Sequence, residues 1–471
     1  MTFGSEVVWI LTVHRANVGP LIHAMGSAVP KKSLPPPNRG PIGGRAVSSG
    51  KKIWSAALLA TAVLAVTAAC GGGGESADGR VTLRFSYWGS DARQKMTDAA
   101  IAKFEAKNPN IDVQGEISDF PSYYDRLSTQ VAGRDAPDVM TLEIRGLREY
   151  AERGTLADLA SKVNTADIDG EVLSTGVVDG KQYAVPTGVN AFSMVINPAL
   201  VEQAKATMPD DKTWTWEQYV ELCAKVSAGG GGKITGTQLI WHPAYLQIYA
   251  AQKGEQLYDG NKLGMSAQTI KEWWGITQSL IETKGSPNAA KSTEIYEAGI
   301  EQTLIGTNTG ATMMMWSNVL GAATKASGQN LELLRMPKIE GARTGGMFLQ
   351  PAMFYTASAR SKHAAEAAKF IDFMVNDVEA GQDILSDRGL PANEKVLAAV
   401  SAKLPPVDQK TVAFVKEIQD ELADPPAAPP KGSSAMESIL RRYSEEVIFN
   451  RMTPDEAVQK FITETNALLA G

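Results

Sequence analysis

Apolar residues alternate with polar ones at the start of the body of the chain, and this period of two predicts a β-strand. The alternating apolar positions are Val81, Leu83, Phe85 and Tyr87. The next apolar residues share one helical face up to Phe104, and the segment Asn-Pro-Asn at 108–110 ends that helix. Strand alternation resumes at 111–117, a helix covers 123–131, and a short apolar strand follows at 138–142. This succession predicts an α/β layer with a largely parallel sheet.

A second run of strands and helices begins after Pro186. The apolar segment 191–196 predicts a strand, and Thr215 followed three residues later by Gln218 forms the capping-box pattern that starts a helix. Cys223 lies on the apolar face of that helix, so we interpret it as a buried core residue rather than a nucleophile. Further strands are predicted at 312–316 and 352–357, and further helices at 364–375, at 436–447 and after Thr453.

The N-terminal segment has the composition of a targeting sequence. Lys51 and Lys52 precede an apolar run at 55–69, and Cys70 follows between small residues and a glycine run. A basic region, an apolar region and small residues before the cleavage point are the parts of a secretory signal peptide. The small residues before Cys70 resemble a bacterial lipobox, although Thr67 stands where that pattern prefers leucine.

We therefore predict a leader and signal peptide at 1–69 and a lipid-anchored, glycine-rich tether at 70–79. Lipid on Cys70 would hold the protein at the outer face of the cell membrane. A signal anchor is the alternative, but about 17 apolar residues is at the short end of what crosses a bilayer. Residues 1–46 show no hydrophobic periodicity and are predicted to be disordered, and a translation start near Val47 would leave a signal peptide of ordinary length.

The charge is unevenly distributed along the chain. The whole sequence has a formal net charge of −6, but residues 1–69 hold seven basic residues and one acidic residue. The remainder therefore carries 39 basic and 51 acidic residues, a formal net charge of −12. An acidic body without a basic stripe disfavours nucleic acid as a partner and disfavours electrostatic docking on an anionic membrane.

Few residues in the body are suited to catalysis. His242 and His363 are its only histidines, and neither lies beside a nucleophile motif such as GxSxG. The sequence has no metal-ligand spacing, no phosphate-binding glycine loop and no cysteine pair, so we expect no cofactor and no disulfide framework. A glycosidase with two carboxylates stays open as the enzymatic alternative, because its acids are brought together only by the fold.

The tryptophans are more informative. Trp88, Trp241 and Trp316 fall at the ends of predicted strands or in loops, where an indole ring can be exposed. An indole can cover the flat C–H face of a sugar ring, while the sugar hydroxyls need carboxylate, amide or guanidinium partners. Such aromatic platforms with a few polar groups are typical of a ligand cleft. Trp273 and Trp274 lie within a helical stretch and are interpreted as core residues.

Several short motifs occur in the order found in bacterial extracellular solute-binding protein family 1. The matching segments are VTLRFSYWGS (81–90), FEAKNPNIDV (104–113), APDV (136–139), GKQYAVP (180–186), TWTWE (213–217), which lacks the family's proline, and RGLP (388–391). Each segment alone is a weak signal, but the ordered series is specific. The resemblance covers most of residues 80–471.

This resemblance implies an α/β fold of two lobes joined by a multi-strand hinge, as in type II periplasmic binding proteins, with the solute bound between the lobes. The first lobe would comprise 80–188 with 337–380, and the second 189–336 with 381–471. The chain would cross between the lobes near 187–192, 334–338 and 376–390.

The family's cleft residues can be carried over position by position. They fall at Trp88, Gly89, Tyr123, Glu143, Asn190, Trp316, Gln350 and Arg388. We add Trp241 and its neighbour His242, which have no fixed counterpart in the family.

The resemblance also implies a function. The protein would be the extracytoplasmic solute-binding component of an ABC importer, capturing a sugar or oligosaccharide and delivering it to permease subunits in the membrane. We expect a monomer without enzymatic activity. A secreted glycosidase and a binding protein for a non-sugar polar solute are the alternatives.

Overall fold

The computed structural model describes residues 79–296 and 298–471. The predictions of a signal peptide, of lipid on Cys70 and of all but the last residue of the tether lie outside these residues. Within the described ranges no helix is long and apolar enough to cross a membrane.

Strands and helices alternate along the described chain, as the sequence predicts. The strands are β1 (Val81–Trp88), β2 (Ile111–Ser118), β3 (Val139–Leu142), β4 (Val177–Val178), β5 (Lys181–Gln182), β6 (Ala184–Ile196), β7 (Thr235–Thr237), β8 (Tyr258–Asp259), β9 (Lys262–Leu263), β10 (Gly310–Trp316), β11 (Glu332–Leu334), β12 (Leu349–Ala357) and β13 (Leu390–Pro391). The helices are α1 (Asp91–Lys107), α2 (Phe120–Ala132), α3 (Ile144–Glu152), α4 (Gly170–Ser174), α5 (Pro198–Gln203), α6 (Trp216–Gly229), α7 (Pro243–Gln252), α8 (Ala267–Glu282), α9 (Ala289–Tyr296), α10 (Leu320–Ser327), α11 (Ala364–Asn376), α12 (Val378–Ile384), α13 (Glu394–Val400), α14 (Pro406–Ile418), α15 (Met436–Ile448) and α16 (Pro454–Leu469).

The long strand β6 joins two sheets. Its first part pairs antiparallel with β12 and with β13, and its last five residues pair antiparallel with β10. On the first side the strand order is β2-β1-β3-β12-β6, with β1 parallel to β2 and β3; on the second side it continues β6-β10-β7. Because one strand is shared, the two sheets form two lobes connected through β6. This two-lobed α/β architecture confirms the predicted fold class.

The two lobes have separate hydrophobic cores. Leu83, Phe85, Phe104 and Phe370 belong to the core on one face of the first sheet, and a smaller core with Trp88 and Leu127 covers the other face. In the second lobe the main core packs α6, α7, α8, α15 and α16 against the sheet and contains Cys223, Trp273 and Trp274. The prediction that these last three residues are core residues is confirmed.

The predicted start of the strand at 191–196 is wrong. The strand β6 begins at Ala184 and includes Pro186. Proline cannot donate a backbone hydrogen bond and usually interrupts a strand, but here β12 has register shifts between Pro351 and Phe354, next to its pairing with Pro186. The irregular pairing explains how the strand continues through the proline.

The core contacts indicate to which lobe each segment near the expected lobe boundaries belongs. Leu349 packs against the cores of both lobes, and β12 then continues into the first lobe. The segment from Ile384 to Leu404 contributes to the first-lobe core, whereas Phe414 belongs to the main core of the second lobe. The packing therefore favours crossings between the lobes that come later in the chain than the predicted crossings near 334–338 and 376–390. The exact lobe boundaries stay a prediction.

Candidate functional site

Polar amide groups lie where β6 passes from one lobe to the other. Asn190 and Phe192 are two residues apart and so lie on the same face of β6, and Gln350 of β12 lies directly opposite Asn190. Along this face Ala184 packs in the core that contains Trp88, whereas Phe192 packs in the main core of the second lobe. Asn190 is only 6% exposed, yet its Oδ1 has no hydrogen-bond partner among the described residues. An unused acceptor thus lies at the junction of the two lobes.

Aromatic side chains form the wall of the first lobe beside this junction. Trp88, at the end of β1, contacts the rings of Phe120, Tyr123 and Tyr124 with centroid distances of 5.5, 5.2 and 6.0 Å. Trp88 is 1% exposed, and Tyr123 is equally buried and donates its hydroxyl to the carbonyl of Thr141 at 2.7 Å. Phe120 and Tyr124 are half-buried. The outer surface of this wall is therefore made by Phe120 and Tyr124, with Trp88 and Tyr123 packed behind them.

A second aromatic group forms the wall of the other lobe. The imidazole of His242 stacks on Phe192 with a centroid distance of 5.6 Å, and Trp316 meets Phe192 edge-on at 5.2 Å. Phe348 completes the group, with its centroid 6.2 Å from that of Trp316. Trp316 and His242 are half-buried and present the accessible surface of this wall. The predicted site residue Trp316 thus lies beside His242.

Charged groups continue the first-lobe wall where β3 ends. Arg145 donates from Nη2 and Nε to Oε2 of Glu143, at 2.7 and 3.1 Å. The backbone N–H of Glu143 donates to the hydroxyl of Tyr124 at 2.9 Å, which orients that ring. The side chain of Arg145 remains 46% exposed, so its remaining N–H groups are available to a ligand.

A carboxylate from the second lobe acts on the same arginine. The pKa of Arg145 is raised first by the charge of Glu143, against the opposing effect of burial, and is raised further by Glu437 at the start of α15. Glu437 accepts a hydrogen bond from the hydroxyl of Tyr296 at 3.3 Å. Glu143, Arg145 and Glu437, which we call the cleft charge cluster, therefore bring charged groups of both lobes close to each other.

His242 is held in its neutral form beside this cluster. Burial lowers its pKa, and the positive charge of Arg145 acts in the same direction, while Glu437 and Glu143 oppose both. The backbone N–H of Ala244 donates to Nδ1 at 3.1 Å, so Nδ1 must be unprotonated and the proton is on Nε2. His242 thus caps α7 and offers one N–H donor.

The other predicted site residues lie deeper in the protein. Trp241 is fully buried against Tyr296, with a centroid distance of 4.9 Å. Gly89 packs on Arg93, whose Cδ would lie 2.5 Å from an added Cβ. Arg388 is 2% exposed and donates to the hydroxyls of Tyr355 and Thr97. The structure brings Glu143, Asn190, Trp316 and Gln350 to the junction, holds Trp88, Tyr123, Trp241 and Arg388 behind it, and leaves Gly89 half-buried directly after β1. Solute contact by any of the nine stays a prediction.

Some residues of this site were not predicted from the sequence. They are Phe120, Tyr124, Arg145, Phe192 and Glu437. Only Arg145 had a usable signal, because Glu143 and Arg145 are opposite charges directly after a strand of a parallel sheet, where ligands commonly bind. Glu437 reaches the site from the C-terminal region, which no sequence spacing relates to β3.

No group of three or more histidine, cysteine or acidic side chains suited to a metal ion occurs in the described part of the chain. The polar groups of the site are instead amides, carboxylates, one guanidinium and one imidazole. Such groups, placed between aromatic rings, are suited to binding a polar molecule that has hydroxyl groups and apolar faces.

The sequence model of bacterial extracellular solute-binding proteins matches residues 99–410. The chain belongs to this family. The lactose-binding protein of Rhizobium radiobacter is 25% identical over 354 residues, which are 72% of this chain and 79% of that protein. The diacetylchitobiose-binding protein of Streptomyces coelicolor is 25% identical over 388 residues, 75% of this chain and 87% of that protein.

Solved structures agree with this membership. A family 1 extracellular solute-binding protein from Alicyclobacillus acidocaldarius is 25% identical to the chain and superimposes with a TM-score of 0.68. The alignment covers 83% of this solute-binding protein and 99% of the other chain. The family consists of binding proteins rather than enzymes.

Proposed function

We propose that this solute-binding protein captures a sugar or oligosaccharide outside the cytoplasm and delivers it to the permease of an ABC importer. The observation that carries the proposal is that each lobe has an aromatic cluster near the strand that joins them, with amide groups at that strand. Phe120 and Tyr124 belong to one wall and Trp316 to the other. Rings of this kind cover the C–H faces of sugars, and Asn190 and Gln350 provide donors and acceptors for hydroxyl groups.

Two relatives support the choice of a sugar. The proteins named as binding lactose and diacetylchitobiose each align with more than 70% of this chain. Both of these ligands are disaccharides, which fit a cleft with aromatic surfaces on opposite sides.

Binding would act through the equilibrium between open and closed lobes. A solute that touches Tyr124 on one lobe and Trp316 on the other stabilises the closed arrangement by its differential affinity. The shared strand β6 makes a short hinge between the two sheets. The permease would then distinguish the closed, loaded protein from the open one.

A glycosidase is the second candidate, since Glu143 and Glu437 approach the cleft from opposite lobes. Oε2 of Glu143 accepts hydrogen bonds from two N–H groups of Arg145, so this carboxylate is already used as an acceptor rather than presented to a glycosidic oxygen as a proton donor. A binding role therefore accounts better for this pair.

We also propose that the mature protein begins at Cys70 and carries lipid there. A relative from Streptomyces antibioticus, 24% identical over 397 residues, is described as a lipoprotein. Mass spectrometry of the mature N-terminus after expression in a lipoprotein-competent bacterium is the test. A chain that starts upstream of Cys70 without a lipid mass refutes the anchor.

The function is tested by offering residues 75–471 a broad panel of sugars and following thermal unfolding. A ligand at a hundredfold excess over its Kd adds about 2.7 kcal/mol to the stability, which is easily measured. Titration calorimetry then gives the affinity, and chromatography of the sugar after long incubation detects cleavage. Stabilisation without product supports the binding protein, release of a cleaved product favours the glycosidase, and no response to any sugar refutes the proposal.

A further inference from the structure

The cleft charge cluster is not neutral. It contains two carboxylates, Glu143 and Glu437, and one guanidinium, Arg145. His242 beside it is neutral, because its Nδ1 accepts the N–H of Ala244. The cluster therefore carries one excess negative charge at neutral pH.

The single positive charge is already engaged. Two N–H groups of Arg145 point to Oε2 of Glu143. Arg441 lies one turn beyond Glu437 on α15, but its Nε donates to Glu445 at 2.8 Å and its guanidinium lies 4.8 Å from the ring centroid of Tyr296. The charge of each arginine is thus already paired with a carboxylate other than Glu437, although Arg145 keeps exposed N–H groups.

Glu437 has acceptor capacity left. Among the described residues its carboxylate accepts one hydrogen bond, from the neutral hydroxyl of Tyr296, and none of their Lys, Arg or His nitrogens lies within 4.0 Å of it in an ion pair. A carboxylate can accept about four hydrogen bonds, so most of its acceptor sites remain available. A ligand with hydroxyl or ammonium donors would satisfy them.

The hinge supplies a second unused acceptor. Oδ1 of Asn190 is buried and has no hydrogen-bond partner in the described chain. Leaving a buried acceptor without a donor is unfavourable, and a ligand that donates to it would recover this free energy. Asn190 and Glu437 are thus two acceptors to which a ligand bound at the junction of the lobes would offer donors.

From this negatively charged cleft we infer that the protein selects saccharides without acidic groups, and that Glu437 is the residue that rejects acidic ones. The inference rests on the proposed function and narrows its substrate class. A neutral or amino sugar offers O–H or N–H donors to Glu437 and Asn190. A uronic acid would place a carboxylate against two others, with the only nearby guanidinium already shared.

Titration calorimetry on the full mature chain tests this with three matched glucose-type disaccharides, one neutral, one with amino groups and one with carboxylates. We expect the acidic disaccharide to bind at least tenfold more weakly than the neutral one. Glu437→Gln removes the charge and keeps the shape, and it should reduce that difference to less than threefold. The matched control is Glu446→Gln, which makes the same charge change on α15 nine residues away, about 14 Å along the helix axis. The control should leave the discrimination unchanged.

The possible outcomes test separately the inference, the role of Glu437 and the proposed function. Equal or tighter binding of the acidic disaccharide by the wild type overturns the inference and leaves the sugar-binding function standing. Discrimination that survives in Glu437→Gln, or that disappears equally in Glu446→Gln, overturns the role of Glu437. Binding of none of the three, together with no response to the broader sugar panel, refutes the proposed function itself and the inference with it.

Discussion

Arg145 and Arg388 are both arginines that follow a strand or turn of the first lobe, but their surroundings differ. Arg388 is 2% exposed, and its guanidinium donates to Thr97 and Tyr355 and lies 5.8 and 5.5 Å from the ring centroids of Tyr87 and Tyr355. The side chain of Arg145 is 46% exposed and shares its environment with carboxylates of both lobes.

The two arginines differ in the hydrogen-bond and ion-pair partners of their side chains. The partners of Arg388 all belong to the first lobe, and its neighbour Arg93 joins them through an ion pair with Asp387 at 2.7 Å. This buried network ties β1, α1 and the turn before β13 together. Arg145 has one fixed partner and retains N–H groups directed to solvent. The Nε of Arg388 has no hydrogen-bond partner among the described residues, but its two Nη groups bind inside the first lobe. A buried arginine held in this way supports the fold, whereas a partly exposed one at a lobe junction is suited to a ligand.

The largest expected effect is on stability, from removing Arg388. Arg388→Met keeps much of the volume but leaves the hydroxyls of Thr97 and Tyr355 without their charged donor. Hydrogen bonds of this buried kind contribute about 1.5–3 kcal/mol each, so we expect a loss on the order of 3 kcal/mol in the free energy of unfolding. Urea unfolding measures it, with an unchanged m-value as the sign that the native fold is kept.

The same variant also tests whether Arg388 differs from Arg145 in having no contact with the ligand. If Arg388 acts only behind the cleft, the folded fraction of Arg388→Met should bind the best sugar within threefold of the wild type. An affinity loss of tenfold or more with little loss of stability would place Arg388 among the ligand contacts, as the family resemblance implies.

Much of the fold could be predicted because it depends on local patterns. The alternation in β1 and the capping boxes at Thr215 and Thr453 are visible in the sequence, and all three are present in the structure. The N-terminal extension of β6 was missed because Pro186 normally ends a strand, and only the irregular pairing of β12 accommodates it.

The site was less predictable because it depends on which aromatic rings of a cluster are buried and which are accessible. Tyr123 and Tyr124 are adjacent in the sequence, yet one is buried with its hydroxyl bound to a carbonyl and the other is half-buried at the surface. That distinction follows from the rotation of α2 against β1, which the apolar pattern determines only to within a residue. Glu437 could not be predicted from the sequence for another reason. Its approach to Arg145 depends on the packing of α15 between distant parts of the chain.

The second-largest expected effect is on the affinity for sugar, and it distinguishes a ring in the second-lobe wall from a ring in the core. Trp316→Ala removes a half-buried ring from the second-lobe wall, and we expect sugar binding to weaken by roughly 1.5–3 kcal/mol, tenfold or more. Titration calorimetry measures the loss, and Trp316→Phe, which keeps an aromatic face, should lose less. Normal affinity in a folded Trp316→Ala protein would show that the ligand does not use this wall.

The smallest effect is a pH dependence that separates His242 from the arginines around it. Burial lowers its pKa, so the unfolded chain takes up a proton at a higher pH than the folded protein does. Stability conferred by the neutral imidazole is therefore complete above about pH 6.5, the ordinary pKa of histidine, and is lost as the pH falls below it. Between pH 7.5 and 5.5 this loss is at most about 1.4 kcal/mol, and solvent at the half-buried ring reduces it.

His242→Asn isolates this contribution. Asparagine is a good N-cap and can accept the N–H of Ala244 as Nδ1 does, but it does not titrate. The carboxylates with lowered pKa titrate below the chosen pH window, so they affect both proteins alike. Thermal unfolding at the two pH values should show the wild type losing more stability than the variant on acidification. Parallel losses in both proteins would mean that folding does not lower the pKa of His242, so that its imidazole takes up a proton as readily in the folded protein as in the unfolded chain. The cap rather than the neutral charge state would then be its contribution to the second-lobe wall.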